Sequence, residues 1–278
     1  MSKVYDKKLI VSGNVLELYE YEMPVVKSDK PNRIGRSGQY STSDETKRQN
    51  RAKTAMRARG KVRRFANANF SNFSKFVTLT FADNVTNLKD ANSEFERFMK
   101  RFKRYIGYSP QYIAVVEFQK RGAVHFHMLM NCPYIENSDL ARIWGKGYVK
   151  INAIDNVDNI GAYITKYMTK DNLDDRLIGQ KSYFMSRNLK QPEETINPDL
   201  IDYVLAYTEV KRVACSNSFD SEYYGTIHYT QVILEKPISL SEHRRLFHLR
   251  RAGATIEEYD SAVKQIRRQG LRPCPTTI

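Results

Sequence analysis

The sequence predicts an α+β fold, a central antiparallel β-sheet with helices packed against it. Three observations carry that prediction. FVTLTF (76–81) alternates Thr with apolar residues, the two-residue period of a half-buried strand. LKDANSEFERFMKRFKRYIG (88–107) repeats Phe95, Phe98, Met99, Phe102 and Ile106 at helical spacing. VEFQKRGAVHFHMLM (116–130) reads as two apolar strands hinged at Lys120-Arg121-Gly122, and a hairpin makes its two strands antiparallel.

In chain order, residues 1–45 form an N-terminal segment with one strand-like piece, VLELYEYEMPVV, and a polar loop, KSDKPNRIGRSGQYSTS. A helix is expected from about Ser43, with Asp44 and Glu45 in its first turn, where the helix dipole favours acids. A central domain is expected over residues 46–195, opening on a basic helix at 46–66. That helix carries Lys47, Arg48, Arg51, Lys53, Arg57, Arg59, Lys61, Arg63 and Arg64, with no acid among residues 47–64. Ala52, Ala55, Met56, Val62 and Ala66 leave only a thin apolar stripe. A solvated helix face would account for scattered charges; nine uncompensated ones favour a surface that tracks phosphates. Arg121 in the hairpin loop belongs to the same DNA-binding set.

After the hairpin, SDLARIWGKG reads as a short helix ending at glycine and YVKINAI (148–154) as a strand. NVDNIGAYITKYMTKD reads as a helix from about residue 157 to 170. Residues 196–278 are expected as a C-terminal extension, mainly helical. DYVLAYTEVKRVAC and EYYGTIHYTQVIL are ambiguous between two strands and a strand with a helix. SLSEHRRLFHLRRAGATIEEYDSAVKQIRRQG reads as two helices joined at Ala252-Gly253-Ala254, with Thr255 and Glu258 forming a capping box. Such a pair suits DNA binding, although helices joined at glycine are common.

Composition narrows the function class. The 278 residues, 41% hydrophobic and 12% aromatic, suffice for a sizeable core and exclude a disordered chain. No apolar run reaches membrane-spanning length, and the opening MSKVYDKKLI lacks the apolar centre of a signal peptide. Cys132, Cys215 and Cys274 form no CxxC pair and are odd in number. They argue against a disulfide framework or a zinc ribbon and for a reducing cytoplasm. Forty-five Lys and Arg against 31 Asp and Glu leave a net charge of +14, a field that favours polyanions. Eighteen tyrosines favour nucleic acid over a membrane surface, because exposed rings stack on bases.

The chemistry-bearing residues converge on the hairpin. Residues i and i+2 of a strand share a face, so His125 and His127 point the same way. If Lys120-Arg121-Gly122 is a three-residue loop, Glu117 lies directly opposite His125. Two imidazoles and a carboxylate form a three-point ligand set with open coordination positions, as catalytic metal sites need. Zinc and non-haem iron fit those ligand types too, so the set alone does not name the reaction. On the helix that follows, Tyr163, Lys166, Tyr167 and Lys170 fall at about 0°, −60°, 40° and −20°, a single stripe. Val157, Ile160, Ile164 and Met168 form a separate apolar stripe beside it, free to pack on the core.

FVTLTF, VVEFQKRGAVHFHML and YITKYMTK, in this order and spacing, resemble the HUH endonucleases. The Y-x-x-K-Y element further resembles the two-tyrosine rolling-circle replication initiators of single-stranded DNA phages and related elements. The resemblance covers roughly residues 60 to 190, and GQKSYFMSRNL (179–189) is similar to a segment downstream in these initiators. The first 45 residues and everything beyond 200 lie outside it. It implies an HUH, ferredoxin-like sheet, with Glu117, His125 and His127 holding Mg²⁺ or Mn²⁺. Tyr163 or Tyr167 would attack a phosphodiester of single-stranded DNA at a replication origin, giving a 5′-phosphotyrosine and a free 3′-hydroxyl. Lys166 and Lys170 would assist the phenols, and a host polymerase and helicase would act as partners in the host cytoplasm. An HUH transposase or relaxase shares this chemistry, and a non-catalytic nucleic-acid-binding module would share the basic helix and the tyrosines.

Overall fold

The computed structural model describes residues 3–27, 44–154, 157–168, 175–177, 180–255, 257–258 and 261. In chain order come strands β1 (Lys3–Ser12) and β2 (Val15–Lys27), helix α1 (Asp44–Asn69) and β3 (Lys75–Thr80). Then follow α2 (Leu88–Ile106), β4 (Gln111–Phe118), β5 (Val124–Asn131), α3 (Asn137–Trp144), β6 (Val149–Ala153) and α4 (Ile160–Thr165). The last elements are β7 (Tyr183–Met185), β8 (Glu193–Thr195), α5 (Pro198–Ala206), β9 (Val210–Ser221), β10 (Gly225–Leu234) and α6 (Leu240–Arg251). The chain divides into two units, residues 33–191 and residues 1–32 with 192–278. Its class is α+β, with two antiparallel sheets.

The central unit carries a five-stranded sheet in the order β6-β3-β5-β4-β7. Its middle hairpin has the expected three-residue loop. The Gln119 amide donates to the Ala123 carbonyl and the Gly122 amide to the Gln119 carbonyl, each at 2.8 Å. Gly122 supplies the left-handed position at φ 87°. Glu117 therefore pairs with His125 across the strands.

Alternation along β5 divides the core. Phe126, Met128 and Met130 join Val77, Leu79 and Val116 under α2 and α3, where Phe95, Phe98, Phe102 and Trp144 are fully or almost fully buried. Each such ring stabilises the fold by roughly 2–3 kcal/mol of removed apolar surface. The opposite face holds Phe76, Ile113, Val115 and Leu129 against Val62 and Ala66 of α1 and Ile160 and Ile164 of α4. His125 and His127 belong to this second face.

The second unit is a sheet in the order β8-β1-β2-β10-β9, with Leu200, Val204, Leu246 and Phe247 packed on Leu9, Val11, Leu16 and Leu234. Two expectations are corrected here. The N-terminal stretch holds two strands rather than one, and the C-terminal stretch is not mainly helical, because it supplies the long strands β9 and β10. The two flanking stretches also share one sheet, since β10 pairs with β2. β9 is an edge strand, exposed or half-exposed along its whole length, so neither of its faces needed an apolar period. The capping box is present, with the Glu258 amide donating to Thr255 Oγ1 at 3.2 Å and the Thr255 amide to Glu258 Oε2 at 2.8 Å. The remainder of the expected second helix lies outside the described residues. Among the described residues, no helix is long and apolar enough to cross a membrane.

Candidate active site

Strand pairing lines up the site in rows across one face. Glu117, His125 and Thr80 are neighbours in one row, and Val115, His127 and Thr78 in the next. The two histidines are buried, 8% and 6% exposed. His127 Nε2 meets Glu117 Oε2 at 2.5 Å, and its Nδ1 lies 3.2 Å from Thr78 Oγ1. A carboxylate only accepts, so in the neutral ring Nε2 carries the proton and Nδ1 accepts from the Thr78 hydroxyl. His125 differs. Its Nε2 is buried with no hydrogen-bond partner, and burial, helped by the His127 charge beside it, lowers its pKa to about 4.

A buried, neutral imidazole with an orphaned nitrogen is the form in which histidine ligates a metal. With a second imidazole and a carboxylate alongside, the donors suit a divalent cation that accepts both nitrogen and oxygen, as Mn²⁺ does; Mg²⁺ leans more heavily on oxygen. Glu117 and His127 are bonded to each other, however, and among the described residues no three His, Cys, Asp or Glu side chains converge as a ready ligand set.

The tyrosines lie over the same face. The Tyr167 ring stacks on His127, 3.8 Å between centroids at 22°. Tyr163 packs edge-on to Phe76 at 5.1 Å and to Tyr167 at 6.3 Å. Burial, followed by a hydrogen bond with Tyr163, pushes the Tyr167 phenol up to about 12. Lys166 is exposed, with its Nζ 5.5 Å from the centre of the Tyr163 ring. Lys170 lies outside the described residues.

The tyrosine helix is shorter than the sequence suggests. α4 stops at Thr165, and Lys166–Met168 form a 3₁₀ turn in place of a continuous helix to 170. Thr165 Oγ1 donates back to the Gly161 carbonyl at 2.8 Å and the Ala162 carbonyl at 3.2 Å. Such back-bonding competes with the helical ladder, and the tighter turn follows it. Ile160, Ile164 and Met168 are buried as the apolar stripe requires, with both tyrosines half-buried at its edge.

Three positioning residues escaped the sequence reading. Asn67, near the end of α1 and 7% exposed, accepts the Gly161 amide at 2.6 Å through Oδ1. Its Nδ2 donates to Asn159 Oδ1 at 3.1 Å, and Asn159 caps α4 by accepting the Ala162 amide at 2.9 Å. Gly161 itself touches α1 backbone; an added Cβ would lie 2.2 Å from the Arg63 carbonyl oxygen. The basic helix and the tyrosine helix are thus locked together. Asn159 carried a legible N-cap signal, whereas nothing marks Asn67 or Gly161.

Of the basic set, Lys53, Arg57, Arg59 and Lys61 are exposed on α1, while Arg51, Arg63 and Arg64 are half-buried. The Lys47 and Arg48 side chains lie outside the described residues. Arg121 is tied to the hairpin, donating to the Phe81 carbonyl at 3.0 Å and to Gln119 Oε1 at 2.9 Å.

Comparison with known families bears on residues that span this whole site. A family of replication-associated proteins, the ORF2 type, matches residues 74–172. That segment, about a third of the chain, runs from β3 through the HxH hairpin to the tyrosine helix. Over it the chain is similar to replication-associated proteins, which fits a role in initiating replication. No curated protein and no solved structure matches the chain.

Proposed function

We propose that the protein is a rolling-circle replication initiator that nicks and rejoins single-stranded DNA at an origin through a 5′-phosphotyrosine. The observation that carries this reading is the stacking of Tyr167 on His127, which joins the tyrosine pair to the HxH strand in one site. The replication-associated match supports it by spanning both.

His125, His127 and Glu117 would hold Mg²⁺ or Mn²⁺. When bound, the ion polarises the scissile phosphate and offsets charge developing in the transition state. His125 is already neutral, and Thr78 and Glu117 fix the orientation of His127. The phenolic oxygen of Tyr163 or Tyr167 bonds to phosphorus as the bond to the 3′-oxygen breaks; the phenol gives up its proton and the departing oxygen takes one up. A phenol of pKa about 10 is a weak nucleophile at neutral pH. The Lys166 ammonium favours phenolate or steadies the phosphate beside Tyr163, and Lys170 is assigned the same role for the second tyrosine.

The cations of α1, with Arg121, hold the DNA backbone. The free 3′-hydroxyl primes a host polymerase in the host cytoplasm, and a host helicase opens the duplex, because the chain has no G-x-x-x-x-G-K-[ST] phosphate loop. Rejoining reverses the transfer without ATP, since the phosphotyrosine retains the energy of the broken bond.

A second reading, a non-catalytic single-strand-binding module, draws on the direct Glu117–His127 pairing, which leaves no converged three-donor cluster among the described residues. Incubation with a randomised single-stranded oligonucleotide pool and Mn²⁺, followed by a denaturing gel, separates the two. A covalent protein–DNA band supports the nickase; intact DNA with only a mobility shift supports the binder.

A further inference from the structure

Beyond His125, on the side away from the tyrosines, the sheet face opens into a cleft of about 830 Å³. Thr80, Glu117, Gln119, Arg121, His125 and Tyr148 are among its walls. The volume lies in the range of small-molecule sites. We propose that this cleft binds the nucleotide carrying the leaving 3′-oxygen, with its base stacked on Tyr148 and its phosphate against Arg121. The proposal rests on the nickase reading and adds a substrate subsite to it.

The order of groups along the face is the first support. Tyr167 lies over His127. One row further on are His125 and Glu117, and the cleft begins there. In phosphoryl transfer the attacking and leaving oxygens are roughly in line through phosphorus. With a phenol attacking from the His127 side, the departing oxygen and its nucleotide lie on the opposite side, toward the cleft.

Tyr148 is the second support. It directly precedes β6, and its carbonyl accepts the Thr80 amide at 2.8 Å. This extends the row Glu117, His125, Thr80 by one strand and puts the Tyr148 side chain on the same face, about 10 Å from His125 at ordinary strand spacing. The backbone is held on both sides, since the Ala82 amide also donates to the Lys146 carbonyl at 2.9 Å. Yet the ring is 75% exposed. An aromatic ring held in water by a fixed backbone is a ready stacking platform, and base–aromatic stacking tolerates any base.

Charge is the third support. The two hydrogen bonds from Arg121 to the hairpin and to the end of β3 pin its guanidinium at the rim, next to exposed Lys120. A planar, fixed cation suits a phosphate. Glu117, the one carboxylate in the lining, belongs to the proposed metal set.

The test uses the full chain and short single-stranded oligonucleotides ending in a 3′-hydroxyl, with 2-aminopurine as either the terminal or an interior base. Stacking on Tyr148 is expected to quench the terminal probe. Tyr148→Ala should lose that quenching and weaken binding about tenfold. Tyr148→Phe should retain both, and an abasic terminal nucleotide should bind wild type and Tyr148→Ala equally. Equal quenching and affinity for wild type and Tyr148→Ala would overturn the proposal. So would a Tyr148 dependence equally strong for the interior probe, which would mean a diffuse DNA surface. Covalent adduct formation by the wild type is measured in parallel. If the adduct forms and Tyr148 has no effect, only the cleft assignment falls; if no adduct forms, the nickase reading falls and takes the leaving-group assignment with it.

Discussion

Gly161→Ala is the sharpest probe of how the tyrosines are held. The added methyl carbon would lie 2.2 Å from the Arg63 carbonyl oxygen, where an ordinary contact needs at least 3.4 Å, and 2.8 and 2.9 Å from two more backbone atoms of Arg63. Backbone cannot rotate away as a side chain can, so α4 retreats from α1 by about 1 Å, carrying Tyr163 and Tyr167 with it. Misplacement of a reacting group by about 1 Å costs on the order of 100-fold in rate. Overpacking of this kind costs about 1–3 kcal/mol of stability. The exposed cations of α1 are untouched, so DNA affinity should stay within about twofold. The measurement is single-turnover covalent adduct formation at saturating single-stranded DNA with Mn²⁺, with affinity by fluorescence anisotropy and folding by circular dichroism. Gly60→Ala is the internal control. It lies on the same helix with nothing within 4 Å of its would-be Cβ, so it should nick normally and gain about 0.5–1 kcal/mol. A folded Gly161→Ala protein that nicks at the wild-type rate would refute the idea that this contact sets the position of the phenols.

Removing the proposed ligands should separate chemistry from binding. Glu117→Ala or His125→Ala abolishes nicking while DNA binding persists, and EDTA does the same to the wild type; full-rate nicking in EDTA ends the metal assignment. Neutralising Lys53, Arg57, Arg59 and Lys61 together should flatten the slope of log K against log[salt], by up to about 0.7 for each phosphate the protein ceases to neutralise. An unchanged slope returns that face to solvent. Purified protein should show no DNA-stimulated ATPase activity, which a phosphate-release assay checks. Among Tyr163→Phe and Tyr167→Phe, at least one should still form a covalent adduct in a single cut. Neither should sustain successive rounds, and the double variant should be inactive; continuous wild-type-rate replication by Tyr167→Phe would leave a one-tyrosine nickase.

The parts of the site that follow from backbone periodicity were legible in the sequence. His125 and His127 share a face because any strand puts i and i+2 together, and the Glu117 pairing follows once Gly122 closes a three-residue loop. The apolar stripe of Ile160, Ile164 and Met168 was legible for the same reason. What was not legible depends on contacts distant in sequence or on competition within one turn. Thr165 ends α4 because its hydroxyl reaches Gly161 and Ala162, a choice that a helical pattern does not record. Asn67 looks like one more polar residue at the end of a basic helix, and its role exists only because Gly161, 94 residues away, is pressed against it. In the second unit, β2 finds β10 some 200 residues later, and no local signal names that partner.

The environments of the two phenols bear on why the site has two. Tyr167 is the more enclosed, stacked on His127 with its pKa pushed up to about 12 by burial and by the hydrogen bond with Tyr163. Through that bond, and through the repulsion between two nearby negative charges, each phenol in its ionised form disfavours ionisation of the other. In a rolling-circle cycle this is useful. The initiating phenol is esterified to DNA while the second must wait, and two phenolates at one phosphate would compete to reverse each cut. A pair that ionises one at a time supplies one nucleophile and keeps the other protonated, the state in which a departing tyrosine leaves its phosphodiester. The separation matches that role, since 6.3 Å between the rings lets either approach the His127 side of the site after a small shift of the helix or the DNA. Alternation between the phenols then needs no rearrangement of the sheet, and the Asn67–Gly161 lock on α4 can stay closed throughout.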